Sequence, residues 1–174
     1  EGVTSIGNYA FYNLSRVKKM TVADSVDYLG VQFIRGTGIT ELSVNARTIS
    51  ANAFGRADSL KTLTIGEGFE NALGNIFYSE TLTVKTPEGS YAYKYLEYYN
   101  ERYPDSQASI TLEADGVAKN KVAQFGYMGD NAFYAMYENA KGNWKMVISG
   151  TGAMKNFPYI CDKNTAKGYT YCPT

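Results

Sequence analysis

Two stretches of this chain, 43 residues apart, carry the same pattern. Ser5-Ile6-Gly7-Asn8-Tyr9-Ala10-Phe11 overlays Thr48-Ile49-Ser50-Ala51-Asn52-Ala53-Phe54. At that offset Val17, Met20 and Val22 fall on Leu60, Leu63 and Ile65. A degenerate copy lies between them, with Val26, Leu29, Phe33 and Ile34, then Ile39, Leu42 and Val44. A shorter fourth copy holds Ile76, Phe77, Leu82 and Val84. The period, about 20–23 residues, marks a repeat architecture. One such unit cannot cover its own apolar face, but stacked units bury a continuous core.

Each unit has two legs. Leu60, Leu63 and Ile65, with Thr62 and Thr64 between the last ones, alternate at period two and predict a short half-buried strand. The Ile-x-x-x-Ala-Phe segment predicts the return leg. Phe11, Ile34, Phe54 and Phe77 are expected to stack as one ladder inside, and Ala10 and Ala53 to sit where the chain turns tightly. The same alternation turns Lys19 and Thr21, Glu41 and Ser43, Thr62 and Thr64, and Thr81 and Thr83 outward. These are the candidate binding residues, on a shallow, threonine-rich face without aromatic anchors.

The pattern resembles the BspA-like (Treponema pallidum-type) leucine-rich repeats of bacterial surface proteins. Val3-Thr4-Ser5-Ile6-Gly7-Asn8-Tyr9-Ala10-Phe11 with Val17, Met20 and Val22, and the 48–65 copy, carry the resemblance over roughly residues 1–87. That family often has Cys in the return loop, where this chain has Leu14 and Ala57. The resemblance implies an α/β leucine-rich-repeat solenoid of short parallel strands with irregular or short helical return legs. It also implies an extracellular or bacterial cell-surface location and a role in binding proteins or matrix.

After Pro87 and Gly89 comes a tyrosine-rich run bounded by Ser90, a good N-cap, and Pro104, a stop. Tyr91, Tyr95, Leu96, Tyr99 and Tyr103 recur at helical spacing and predict a helix of about three turns that caps the solenoid. Tyr93 and Tyr98 fall off that stripe. They are the expected exposed pair and the alternative, glycan-stacking surface. The first domain is thus expected over residues 1–104.

Residues 105–174 predict a small β-rich module. Ile110-Thr111-Leu112 alternates. Phe133 to Tyr137 and Trp144 to Ile148 flank a turn at 138–143 and predict a hairpin. Its expected facing sets are Phe133, Ala135 and Tyr137 against Trp144, Met146 and Ile148, with Trp144 a core anchor. Gly150 and Gly152 are expected to shape a turn after the strand. Gly129-Asp130-Asn131 and the run from Trp144 to Met154 resemble a module found beside these repeats in bacterial surface proteins. Cys161 and Cys172 are a candidate disulfide in the tail.

Composition narrows the function. The chain has no histidine among its 174 residues, which removes imidazole-based triads, Cys-His pairs and imidazole metal sites. Glu97 and Glu101, one helical turn apart, predict a solvated face in preference to a hydrolase carboxylate pair. Seventeen basic residues balance seventeen acidic ones, which argues against nucleic acid as a partner. No apolar run is long enough to span a membrane. The chain starts at Glu1 and reads as a mature or excised fragment whose signal peptide, if one existed, has been removed. The expectation is a non-enzymatic binding module with no cofactor and no metal. Its expected ligand is a protein or matrix component; a glycan is the alternative ligand, and a purely structural spacer a further alternative.

Overall fold

The computed structural model describes residues 2–102 and 107–154. Alternation produces strands where the pattern demands them. In β3 (Glu41–Val44) and β5 (Thr62–Ile65), Leu42, Val44, Leu63 and Ile65 are buried while the residues between them face out. Two four-stranded sheets result, both parallel throughout. The first runs in the order β1 (Ser5–Ile6), β2 (Tyr28–Leu29), β4 (Thr48–Ser50), β6 (Asn71–Leu73). The second runs β3, β5, β7 (Thr81–Glu88), β8 (Ser109–Val117). From β2 to β7 the chain passes from one sheet to the other at each step.

The return legs are tight turns, not helices. The first three each carry two left-handed residues, four apart: Tyr9 and Asn13, then Gln32 and Gly36, then Asn52 and Arg56, all with φ between 47° and 68°. Backbone N–H groups of one leg donate to carbonyls of the next. Phe11 N–H reaches Phe33 O at 2.8 Å, Gln32 N–H reaches Asn52 O at 3.0 Å and Phe54 N–H reaches Ile76 O at 3.2 Å. These bonds between legs satisfy backbone groups that a buried turn would otherwise orphan.

Inside, Phe54 stacks on Phe77 with ring centroids 5.9 Å apart. Phe33, beside the expected Ile34, supplies the next ring at 5.8 Å from Phe54. Phe11 packs against the same core but is only partly buried. The whole first unit shares that state. Ile6, Val17, Met20 and Val22 are half-buried, whereas their counterparts Ile49, Leu60, Leu63 and Ile65 are at most 2% exposed. Residues 17–22 form no strand.

The tyrosine run forms α1 (Tyr91–Arg102). Ser90 Oγ accepts the Tyr93 N–H at 3.1 Å, an N-cap that satisfies one of the orphan donors of the first turn. Tyr91, Tyr95, Leu96 and Tyr99 are buried. Tyr91 and Tyr95 meet Phe69 edge-on at 5.3 and 6.0 Å, and Tyr99 meets Phe77 at 5.9 Å, so the helix covers the end of the phenylalanine column. After the helix, β8 returns to the second sheet beside β7, with Thr83 opposite Thr111. That sheet therefore continues past residue 104.

The remaining strands form an antiparallel sheet in the order β11, β10, β9: β9 (Val122–Tyr127), β10 (Gly129–Glu138) and β11 (Trp144–Met154). The expected hairpin is present, closed by a turn in which Asn139 Oδ1 accepts the N–H groups of Lys141 and Asn143. Its register differs from the expectation by one residue. Phe133 lies opposite Ser149, Ala135 opposite Val147 and Tyr137 opposite Lys145. A one-residue change moves a whole strand face. Trp144, Met146 and Ile148 consequently share the outer face with Tyr134 and Met136, and they are 49%, 55% and 57% exposed. Trp144 is therefore no core anchor. Gly150 and Gly152 lie within β11 and not after it, at φ +101° and +92°. A side chain at Gly150 would strike the Asn131 carbonyl across the strand pair.

Candidate interaction surfaces

The second parallel sheet turns its apolar row inward and its polar row outward. Register places the outward residues in lines across the strands. Glu41, Thr62, Thr83 and Thr111 form one line, and Ser43, Thr64, Lys85 and Glu113 the next. Strands in such a sheet lie about 4.8 Å apart, so each line presents polar groups at that spacing. Lys85 Nζ and Glu113 Oε2 pair at 3.6 Å across β7 and β8. Thr81 lies opposite Ser109, outside both lines.

Six of the eight expected residues, Glu41, Ser43, Thr62, Thr64, Thr81 and Thr83, stand on this sheet. Lys19 and Thr21 are exposed but belong to the strandless stretch 17–22. Lys85, Thr111 and Glu113 belong to the surface and were not expected there. For Thr111 and Glu113 the cause is α1, which separates Thr83 from its partner Thr111 by more than the repeat period, whereas Lys85 lies on β7 two residues past Thr83. A signal was nonetheless present: Ser109-Ile110-Thr111-Leu112 copies the polar–apolar order of Thr81-Leu82-Thr83-Val84, its actual partner.

The tyrosine pair behaves differently from its expectation. Tyr93 and Tyr98 are half-buried, not exposed. The Tyr98 ring packs against Phe125 at 6.4 Å, Tyr127 at 5.6 Å and Phe133 at 5.5 Å. Deeper in, the Tyr91 hydroxyl shares a 2.6 Å hydrogen bond with Ser149 Oγ, and burial pushes its pKa up to about 12. Burial also raises Tyr137, with Glu70 adding to the effect. Between α1 and β9 opens a groove of about 1110 Å³, and Trp144 stands in its wall.

On the first sheet's side, Arg47 forks onto Asp27 with bonds of 3.1 and 2.8 Å and holds that carboxyl below its ordinary value. Both side chains are solvent-exposed, so this pair adds little to stability. Among the described residues no cluster of His, Cys, Asp or Glu could hold a metal ion. Cys161 and Cys172 lie outside the described residues. No helix among the described residues is long and apolar enough to cross a membrane.

A family model described as a BspA type leucine rich repeat region matches residues 1–100 in six copies. That span runs through the fourth sequence repeat and most of α1. No curated protein and no solved structure matches the chain.

Proposed function

The chain belongs to the BspA-type leucine-rich-repeat family, and on that premise we propose that it is a binding module of the bacterial cell surface or extracellular space. Its repeat part acts as a solenoid: the passage of the chain between two parallel sheets is one turn per unit, and α1 is the cap. In this reading residues 1–104 are the repeat unit and 105–174 the appended module, joined through β8.

One observation carries the reading. Three in-register strands, β3, β5 and β7, hold Glu41, Thr62, Thr64 and Thr83 on one outward face, with Leu42, Val44, Leu63, Ile65, Leu82 and Val84 between them committed to the core. The surface is continuous, polar and rigidly backed, and it suits a protein or matrix partner that contributes its own anchors. The family is one of interaction repeats, and the chemistry of the face is that of hydrogen bonding, not catalysis. A glycan surface on Tyr93 and Tyr98 has less support, because the Tyr98 ring is already occupied by three aromatic neighbours. A pure spacer would bind nothing.

The test is biolayer interferometry of the chain against immobilised extracellular-matrix proteins, with Glu41→Arg, Thr62→Arg and Thr64→Arg as variants. Saturable binding that weakens roughly tenfold in the variants supports this face. Unchanged binding by variants with native circular dichroism removes it, and absence of any binding favours the spacer.

A further inference from the structure

Four successive residues of β9, Val122, Ala123, Gln124 and Phe125, line the groove beside α1. Successive side chains of a strand point to opposite faces, so a groove touched by all four runs along the strand's edge and not over one face. Among the described residues β9 is the last strand of its sheet, and of its residues Val122 already donates its N–H to Gly89 O at 2.8 Å. The Met128 N–H bond to Ala132 O at 2.8 Å sets the phase of the pairing. Residues an even number away, Gly126 and Gln124, turn their backbone toward β10, and Phe125 and Tyr127 turn theirs outward.

Proteins blunt such edges with charge, proline or bulges. The sequence of β9, Val-Ala-Gln-Phe-Gly-Tyr, has neither charge nor proline. It has one bulge, where Ala123 is the extra residue between Gln124, opposite Met136, and Val122, opposite Tyr137. The regular edge therefore spans Gln124 to Tyr127.

The two walls differ in chemistry. On the outer side stand Tyr134, Met136, Trp144 and Met146, an aromatic and thioether surface of the kind that accepts varied apolar side chains. On the helix side stand Glu97 and Glu101 with Lys94. Lys94 Nζ is held by Glu97 Oε2 at 2.7 Å, which leaves that wall net acidic.

We propose that the β9 edge takes up an extended segment of a partner protein, which adds as a further strand. Its outer-face side chains lie beside Gln124, Tyr134 and Met136, at the near end of the aromatic and thioether wall, and its basic side chains face Glu97 and Glu101. Main-chain hydrogen bonds would supply affinity and the two walls selectivity. The site goes beyond the threonine-rich face and is physically separate from it. Either can fail alone.

Trp144 is the only tryptophan of the chain, so its emission reports on this groove directly. The probe is a capped heptapeptide of alternating lysine and valine, added to the full chain. Saturable blue-shifted emission is expected. N-methylation of alternate peptide bonds in the probe should weaken it roughly tenfold or more, because the ladder bonds are lost. Glu101→Lys should weaken it about fivefold, and a glutamate–valine probe should not bind. Thr64→Arg should leave the signal unchanged, which separates this site from the parallel-sheet face. No shift, equal binding of the N-methylated probe, or a shift with cellohexaose but not with the peptide would each overturn the proposal.

Discussion

The Tyr95 hydroxyl donates to the Gly74 carbonyl at 3.0 Å and lies 3.4 Å from the Ile76 N–H, which donates to it. In the units before, N–H groups at this place, such as Gln32 and Phe54, donate to the backbone of a following unit. The last leg has no following unit, and a side-chain oxygen replaces it. Tyr99 does the same for the Asn75 side chain, whose Nδ2 donates to the Tyr99 hydroxyl at 3.3 Å. Tyrosine suits this position because its ring covers Phe69 or Phe77 while its tip reaches backbone, for Tyr95, or the Asn75 side chain, for Tyr99.

Removal of that tip is the first prediction. Tyr95→Phe keeps the ring and leaves a buried N–H and carbonyl short of a partner, at a cost of about 1–3 kcal/mol. Urea unfolding of the full chain measures it. A midpoint equal to that of the parent would show that the ring alone matters.

Glu80 makes the second. Its carboxylate is 5% exposed and accepts three backbone N–H groups, from Arg56 and Tyr78 at 2.7 Å and from Ser79 at 3.1 Å. It ties the third return leg to the fourth. Glu80→Ala strands all three donors and should cost about 3 kcal/mol, with Glu80→Gln intermediate because one oxygen remains. Equal thermal midpoints for the two variants would contradict this account.

Phe54 and Trp144 form a contrasting pair. Phe54 is fully buried between Phe33 and Phe77, so Phe54→Ala should cost about 3–5 kcal/mol. Trp144 is half-exposed, and Trp144→Ala should cost less than about 1 kcal/mol. Differential scanning calorimetry ranks them. A larger loss at Trp144 would place the antiparallel sheet's core on the wrong face.

Alkaline pH supplies the last. Tyr91 ionises at its ordinary value of 10 once unfolded, but burial holds it to about 12 in the fold. The folded state therefore keeps its proton where the unfolded state loses it. The stability tied to this group is complete below pH 10 and is lost as pH rises through 12, by roughly 2–3 kcal/mol. Tyr91→Phe should lessen that decline, with Tyr137 supplying a remainder of the same sign, read as the urea midpoint between pH 9 and 12. A decline of equal slope in the variant would assign it elsewhere.

The buried positions of the repeat were legible because burial in a stacked unit repeats with the chain: the same leg meets the same neighbour one period later. Phe54, Leu60, Leu63 and Ile65 are core for a reason written within about twenty residues of each. The helix was legible too, since Ser90 and the tyrosine spacing are local signals. Three features were not local. The pairing of β8 with β7 crosses a whole helix, so no period announced it. The hairpin register depends on irregularities, at Gly129 and Asn131 and at Gly150, where only a residue without Cβ lets the strands close. That register decides which face Trp144 takes. The groove along β9 exists because α1 and the antiparallel sheet, distant in sequence, meet through Tyr98 and Phe125. Alternation states which residues share a face, and packing alone decides which face turns inward.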